Sequence, residues 1–428
     1  METWDRTTRR RALWAAPMAG GVLAALAACG QSGSGSQPKV ANPPLTLEFW
    51  HNKAQPEGQD VTTIVTRYNA QFAPTKVTET FQGNGATLLT KLKAALAAAT
   101  PPDVTYGFGS WMPSFAEQGA LVVADDMVKR LGGIKKEDFF PTLISAQTWK
   151  GKLQALPYGT GSKGYYVRPE IVKRADVAKL PLTWDEFDGF ASKVTRDEQF
   201  ALGMSATDAS WFQLLLGQRG GKVLDGPNGK AAFHQQPGID ALQQLTDLAL
   251  KKRSLKITSS AAGDFANGQL ASIMSGEWQI RFYRADGTPH DTGFFPRQKA
   301  SDPPSTLLGV DGFYMFKTTP DRQDTTWRFL TWLLKPDVYH SWAVAGSFRL
   351  PVMPAWIKSD EYQKFLKDNP QQKPFVDQLP GAFVAPPTVL GDELSTAIGN
   401  AVKRAVTGEQ SAKDSLANAQ REFDAQVK

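Results

Sequence analysis

Cysteine is almost absent from the sequence: Cys29 is the single copy among 428 residues. An intrachain disulfide is therefore excluded, and so is a zinc or iron–sulfur site built on several thiolates. The four histidines are scattered, without the i, i+4 spacing that places two imidazoles on one face of a helix. The sequence accordingly predicts no metal site and no cofactor.

The sequence also lacks a strong charge bias. Lys and Arg number 48 against 42 Asp and Glu, a formal net charge of +6, and the basic residues are spread in ones and twos. A nucleic-acid interface is therefore not expected. Tryptophan is in excess, with 12 copies, about double the usual share. Core packing or exposed aromatic platforms for a ligand would account for that excess.

No apolar run reaches the length of a membrane span. The longest, residues 13–28, is shorter than the about 20 residues required, follows a twin-arginine run and ends at Cys29 in a sequence that resembles a bacterial lipobox. We expect residues 1–28 to be a Tat-like lipoprotein signal peptide, Cys29 to be lipidated, and residues 29–44 to be a flexible tether. A buried N-terminal helix is the alternative. The expected location is the extracytoplasmic face of the bacterial membrane, on the periplasmic side if an outer membrane is present.

Alternating and helical apolar patterns follow one another from residue 45 onward. They predict a strand at 45–49, a helix at 61–72, a strand at 77–81, a helix at 88–99 and a strand at 103–106. Such an order implies βαβ units with a parallel sheet. Because ligands bind beyond the carboxyl ends of such strands, we expect residues 50–51, 83–85 and 108–111 to share one rim.

A second α/β region is predicted from residue 156 onward. It contains a strand at 165–167, a helix that begins with Thr183 as N-cap, helices between 211 and 255, and a strand near 270–274. The glycine motif at 159–164 fits G-x-G-x-x-G by its letters, but it precedes a strand instead of joining a strand to a helix. We therefore expect it to be a lid or hinge loop and not a nucleotide site.

No nucleophile motif is found in the sequence, and the acidic residues form no convincing catalytic pair. Glu277, next to Trp278, is expected to line a cleft as a hydrogen-bonding partner. Five aromatic residues lie at predicted strand ends or loop starts, next to glycine or polar residues: Trp50, Trp111, Tyr158, Trp211 and Trp278. We expect these to face a cleft as platforms for a carbohydrate, because flat rings cover the apolar faces of sugars.

Several short segments, in their order and spacing, resemble one family. They are Phe49-Trp50-His51, Phe81-Gln82-Gly83-Asn84, Pro102-Asp103-Val104, Gly119-Ala120-Leu121, Leu156-Pro157-Tyr158, Tyr165-Tyr166-Val167, the run 182–187, the run 265–278, the run 309–313 and Leu350-Pro351. The chain from 45 to 428 thereby resembles the extracellular solute-binding proteins of ABC importers, of the maltose and glycerol-3-phosphate type.

The resemblance implies an α/β, two-lobed periplasmic-binding-protein fold of type II. Each lobe is expected to be a mainly parallel sheet flanked by helices, joined to the other by several crossing segments. One lobe would comprise residues 45–156 and 305–346, and the other residues 157–304 and 347–428. The implied function is capture of a solute between the lobes, without catalysis, and its delivery to the transmembrane permease subunits by a monomer.

The resemblance also implies a set of ligand-binding residues. They are Trp50, His51, Asn84, Trp111, Tyr158, Thr160, Trp211, Ser275, Gly276, Trp278, Gly309, Val310 and Arg349. Arg349 is alternatively an interlobe salt-bridge residue. The sequence departs from the glycerol-phosphate type because Gly85 and Gly109 stand where that type has tyrosine and glutamate, and no arginine lies near 390–391.

We expect these two glycines to leave room for a bulkier ligand, such as an oligosaccharide. The predicted solute is therefore a sugar, an oligosaccharide or a sugar-derived compound. A carbohydrate-active enzyme outside the cytoplasm and a binder of a glycerophosphodiester or other phosphorylated solute are the alternatives.

Overall fold

The structure is a computed structural model that describes residues 44–427. The predicted signal peptide, Cys29 and nearly all of the predicted tether lie outside this range. The strands are β1 (Thr46–His51), β2 (Lys76–Phe81), β3 (Val104–Phe108), β4 (Thr148–Trp149), β5 (Lys152–Leu153), β6 (Leu156–Val167), β7 (Phe200–Met204), β8 (Leu255–Ile257), β9 (Leu270–Gly276), β10 (Asp291–Gly293), β11 (Thr306–Met315) and β12 (Ala382–Phe383).

The helices lie between these strands and extend to the end of the described range. They are α1 (Glu57–Gln71), α2 (Gly85–Ala97), α3 (Met112–Glu117), α4 (Ala124–Leu131), α5 (Pro141–Ala146), α6 (Pro169–Arg174), α7 (Trp184–Val194), α8 (Ala209–Gln218), α9 (Gln236–Thr246), α10 (Ala261–Ala266), α11 (Gln279–Ala285), α12 (Pro320–Leu333), α13 (Pro336–Tyr339), α14 (Pro354–Ile357), α15 (Asp360–Asp368), α16 (Lys373–Asp377), α17 (Gly391–Val406) and α18 (Ala412–Asp424). Within residues 44–427, no helix is long and apolar enough to span a bilayer.

The first parallel unit confirms the strand and helix pattern predicted from the sequence. In β1, Leu47 and Phe49 are buried, as their alternation requires. Strand β1 lies between β2 and β3 and runs parallel to both. The apolar side of α1, including Val61 and Tyr68, packs in the same core.

A second parallel unit is formed by β7 with its neighbours β8 and β9. Helix α7 beside it begins as the sequence predicts, because the Thr183 side chain accepts a hydrogen bond from the Glu186 N–H. Glu186 in turn accepts one from the Leu182 N–H, which completes a capping box. A separate apolar core under this unit contains buried residues of α8, α9, α17 and α18.

Two long strands join the parallel units into one sheet. Strand β11 pairs antiparallel with β3 and with β6, and β6 continues antiparallel to β9. The strand order is therefore β2-β1-β3-β11-β6-β9-β7-β8, with β10 on β6 and β12 on β11. The chain has the predicted two-lobed α/β fold, and β6 and β11 are its crossing strands.

The prediction of a flexible loop at residues 159–164 is wrong, because these residues form the middle of β6. The glycines there serve close packing instead. A Cβ on Gly164 would lie 2.3 Å from the ring of Phe375, and one on Gly161 would lie 3.5 Å from the ring of Trp278. A glycine motif in the sequence does not reveal such contacts, since Phe375 and Trp278 lie far from these glycines in the sequence.

Candidate functional site

A cavity of about 540 Å³ lies where the carboxyl ends of β1, β3 and β9 face the crossing strands. This is the edge at which parallel α/β sheets bind ligands. Its wall contains Asn52, Lys53, Ala54, Glu57, Tyr106, Phe108, Gly161, Lys163, Gln213, Trp278, Phe282, Leu307, Leu308, Gly309, Asp311, Arg349 and Ala385. Its volume falls within the roughly 300–1,000 Å³ that small-molecule sites occupy.

Arg349 is the central charge of this cavity and is only 5% exposed. Its guanidinium lies 3.5 Å from a Glu57 oxygen, 3.4 Å from Glu277 and 3.7 Å from Asp311. These carboxylates come from α1, from the turn after β9 and from β11, so one side chain links three separate elements. Arg349 Nε has no hydrogen-bond partner among the described residues. It is a buried donor that the described side chains leave unsatisfied.

Lys53 provides a second buried cation on the same wall. Its Nζ lies 3.7 Å from Glu57 and 3.9 Å from the centre of the Tyr106 ring. Burial, together with the nearby charge of Arg349, lowers the pKa of Lys53 to about 8. The Tyr106 hydroxyl donates a hydrogen bond to Asp311. Lysine, tyrosine and aspartate thereby hold one another in place at the floor of the cavity.

Glu277 is fully buried in the same group. Burial raises its pKa to about 8, against the opposing effect of Arg349. Its Oε2 has no hydrogen-bond partner among the described residues. The cavity therefore brings together three cations, Lys53, Lys163 and Arg349, with the carboxylates of Glu57 and Asp311. Glu277 joins this group as a protonated acid below about pH 8.

The raised pKa of Glu277 predicts an unusual dependence of stability on pH. Between about pH 4.5 and pH 8 the folded protein keeps a proton that the unfolded chain loses, so the free energy of unfolding falls as pH rises. We expect Glu277→Gln to remove this decline, measured by urea unfolding at several pH values in that window. The exposed Glu198→Gln serves as the control. Identical pH slopes for Glu277→Gln and the parent protein would contradict the assignment.

Trp278 and Phe108 supply aromatic surface to the cavity. The Trp278 ring lies against the backbone of Gly276, where an added Cβ would approach it to 2.0 Å. Lys163 Nζ and Arg349 Cζ lie 4.9 and 5.2 Å from its ring centre. Phe108 is 37% exposed and is held edge to face by Tyr106 and Trp111. Rings beside charged and polar groups suit a ligand with both apolar faces and hydroxyls.

Comparison with known proteins identifies the family. Residues 63–371 match the family described as bacterial extracellular solute-binding protein. The chain belongs to this family. The periplasmic sn-glycerol-3-phosphate-binding protein UgpB of Escherichia coli K12 is 22% identical to this solute-binding protein over 356 residues, which cover 76% of this chain and 78% of UgpB.

Solved structures of the same architecture include two with stated ligands. The cyclic alpha-maltosyl-1,6-maltose binding protein of Arthrobacter globiformis superposes with a TM-score of 0.79 and 26% identity, covering 89% of this chain and 98% of that one. UgpB of Mycobacterium tuberculosis in complex with glycerophosphocholine superposes with a TM-score of 0.80 and 19% identity, covering 90% and 99%. Both likenesses extend over almost the whole described range.

In this solute-binding protein, some of the predicted binding residues lie at the cavity. Trp278, Gly309 and Arg349 line it, and Gly309 with Val310 lines an adjoining cavity of about 330 Å³. Gly276 supports the Trp278 ring, and Ser275 precedes it in β9. Arg349 lines the cavity and also pairs with carboxylates of separate elements, so the two roles considered from the sequence both remain predictions.

Other predicted binding residues are placed behind or beside the cavity wall. Tyr158 is buried and stacks on Trp342 with 4.9 Å between ring centres. Thr160 is buried in β6, and its hydroxyl has no hydrogen-bond partner among residues 44–427. His51 is buried and its Nε2 lies 2.7 Å from a Glu79 oxygen, while its Nδ1 accepts from the Lys53 N–H. His51 thereby positions the lysine that lines the cavity.

The remaining predicted residues make contacts away from the cavity. Asn84 is exposed and caps α2 by accepting from the Thr87 N–H. Trp50 and Trp111 pack with the core cluster of α2 and α3, where Trp111 supports Phe108. Trp211 lies on α8, 1% exposed, against Trp184 and Phe295. It is a core residue, so the structure does not bring it to the cavity.

The expectation that Gly85 and Gly109 leave room for ligand is wrong. A Cβ on Gly85 would lie 2.5 Å from the ring of Phe108, and one on Gly109 would lie 2.7 Å from the carbonyl oxygen of Val310. Both spaces are already filled by the protein itself. Gly85 thus permits Phe108 to occupy its position at the cavity.

Sequence reasoning placed Phe108 on the predicted rim but missed Lys53, Glu57 and Asp311. Two of the missed residues carried a usable signal. Lys53 follows the carboxyl end of β1 at the rim that the βαβ pattern predicts. Asp311 is an isolated charge within the apolar run of β11. Charged residues inside buried strands need a partner, which is an indication of function or of an ion pair.

Proposed function

We propose that this protein is the substrate-binding subunit of an ABC importer and that it captures an uncharged sugar or sugar-derived solute in the cavity around Arg349. The observation that carries the proposal is that the two buried cations of that cavity already have carboxylate partners. Lys53 lies 3.7 Å from Glu57, and Arg349 lies 3.5 Å from Glu57 and 3.7 Å from Asp311. A phosphate would have to compete with these carboxylates, whereas hydroxyl groups can both donate and accept among them.

The relatives support this proposal and also define its alternative. One relative at 26% identity binds a cyclic maltosyl-maltose, whereas another at 19% identity was crystallised with glycerophosphocholine. Glycerophosphocholine has no net charge, but its phosphodiester would bring a negative charge into a cavity that contains Glu57 and Asp311. An uncharged sugar avoids that repulsion. We therefore propose a glycerophosphodiester only as the second candidate ligand.

A thermal-shift panel tests the ligand class. Ligand at about 100 times its dissociation constant adds ~2.7 kcal/mol to the free energy of unfolding. We expect neutral oligosaccharides to raise the melting temperature, and glycerol-3-phosphate and glycerophosphocholine to leave it unchanged. A shift with the phosphodiester alone would overturn the sugar assignment. Product formation from an oligosaccharide during the assay would instead favour the enzyme alternative, which the proposal excludes.

We further infer a monomer whose lobes comprise residues 45–156 with 305–346 and residues 157–304 with 347–428, and which delivers its solute to the permease. The positions of β6 and β11 support these boundaries, since each parallel unit lies on one side of them. Arg281 on α11 pairs with Asp60 on α1 across the cavity region, and Ser347 donates to the same carboxylate. These contacts would hold the two lobes together around a bound solute.

The proposed location is the extracytoplasmic face of the membrane, with a lipid on Cys29. Its support is the lipobox-like sequence before Cys29 and the extracellular family to which the chain belongs. We expect Cys29→Ser to move the protein from the membrane fraction to the soluble extracytoplasmic fraction, measured by cell fractionation. Labelling with a radioactive fatty acid provides the second readout. An unlabelled parent protein would contradict the anchor.

A further inference from the structure

The cavity around Arg349 is one of three adjoining cavities that have wall residues in common. The other two have volumes of about 330 and about 420 Å³. Gln213 and Ala385 line all three. We call the cavity around Arg349 the first arm, the one lined by Val310 the second arm, and the one lined by Gly226 the third arm.

The arms share wall residues pairwise, as mutually adjacent cavities do. Here the first and second arms also share Phe108, the first and third also share Leu307, and the second and third also share Pro386. Every pair of arms is therefore adjacent. Gln213 lies at the junction on α8, between the buried residues Phe212 and Leu214.

The size and chemistry of the arms restrict what could fill them. The volume of each arm alone lies in the lower part of the roughly 300–1,000 Å³ range that complete small-molecule sites occupy. The second arm contributes one charged residue, Asp392, beyond those shared with the first, and the third contributes Lys222 and Asp225. The remaining walls are mostly leucine, proline, valine, alanine and glycine, with Phe383 in the third arm and serine and threonine in the second, which suit the apolar faces and hydroxyls of sugar rings.

We propose that the solute is an oligosaccharide of three or more rings that branches at a central ring held by Gln213. This inference rests on the proposed function and adds the size and shape of its ligand. The carboxamide of Gln213 donates and accepts, so it can bond the central ring whichever hydroxyl faces it. A linear chain fills two arms and leaves the third to water, whereas a branched one fills all three.

Calorimetric titration of the purified protein with two tetrasaccharides tests the proposal. One is linear maltotetraose and the other is a glucotetraose with a 1,6-linked branch on a central ring; maltose is the short reference. We expect the branched sugar to bind about tenfold more tightly than the linear one. Equal or tighter binding of the linear sugar would overturn the branched ligand while leaving sugar binding in place.

A variant with a larger side chain in the third arm tests the contribution of that arm independently of the other two. Gly226 lines that arm, and no atom of residues 44–427 lies within 4 Å of a Cβ added to it, so Gly226→Trp adds a large ring at that wall without a clash at Cβ. Gly189→Trp is the matched control, because Gly189 is exposed on α7 and equally open. We expect the branched sugar to bind Gly226→Trp no more tightly than maltotetraose does, and to keep its advantage in Gly189→Trp.

Each of three results would overturn a different part of this proposal. Branched-sugar binding that is unchanged in Gly226→Trp would overturn the role of the third arm. Equal weakening of both tetrasaccharides would indicate a linear ligand through that arm. Binding of none of the sugars, in a protein that glycerophosphocholine stabilises, would overturn the proposed function itself.

Discussion

Replacing Arg349 by methionine is expected to lower the free energy of unfolding by about 3–5 kcal/mol. The variant keeps the volume of the side chain but removes the positive charge that lies within 3.4–3.7 Å of Glu57, Glu277 and Asp311. Glu57 and Asp311 would remain buried, with Lys53 at 3.7 Å from Glu57. Urea unfolding of the variant and the parent protein measures the loss.

Two further variants distinguish this explanation from a simple loss of packing. Arg67→Met removes an exposed pair with Asp337, so it should cost at most about 1 kcal/mol. Adding Glu57→Gln to Arg349→Met removes a carboxylate that is ionised at neutral pH and should restore part of the lost stability. An Arg349→Met protein as stable as Arg67→Met would contradict the buried ion network.

The second large effect is expected for Trp278→Ala, which should weaken sugar binding by about 30-fold or more. Truncating a central aromatic anchor typically costs about 2 kcal/mol or more, which corresponds to that factor. Trp278 lines the cavity beside Lys163 and Arg349. Calorimetric titration with the sugar that gives the largest thermal shift provides the measurement.

Trp50→Ala is the matched control for this prediction. Sequence reasoning assigned Trp50 and Trp278 the same role, but the structure packs Trp50 against the cluster of Leu88 and Leu92 and not on the cavity wall. We expect Trp50→Ala to reduce stability while changing the affinity by less than about twofold. Equal losses of affinity in both variants would show that the site extends to Trp50.

Elements with a strong local pattern were predictable from the sequence. The alternation in β1, the apolar stripe of α1 and the capping box of α7 depend on residues within a few positions of one another, and each has the predicted structure. The first half of strand β6 was not predicted as a strand. Its glycines are required by close contacts with the rings of Phe375 and Trp278, which lie far along the chain.

The site itself was less predictable for the same physical reason. Glu57 and Arg349 are 292 positions apart, so no local pattern connects them. A tryptophan at the start of a helix faces either a cleft or a core with the same local sequence, and Trp211 faces the core. The rim rule for parallel sheets gave the correct edge of the sheet, but not the side chains that form the cavity.

We propose that an uncharged sugar binds in the cavity around Arg349. Calorimetric titration tests this proposal with two ligands, maltotriose and glycerophosphocholine, on the purified protein and on Trp278→Ala. We predict saturable binding of the sugar at one site per chain, loss of that binding in the variant, and no heat with glycerophosphocholine. Binding of glycerophosphocholine without sugar binding, or sugar binding that is unaffected by Trp278→Ala, would contradict the account.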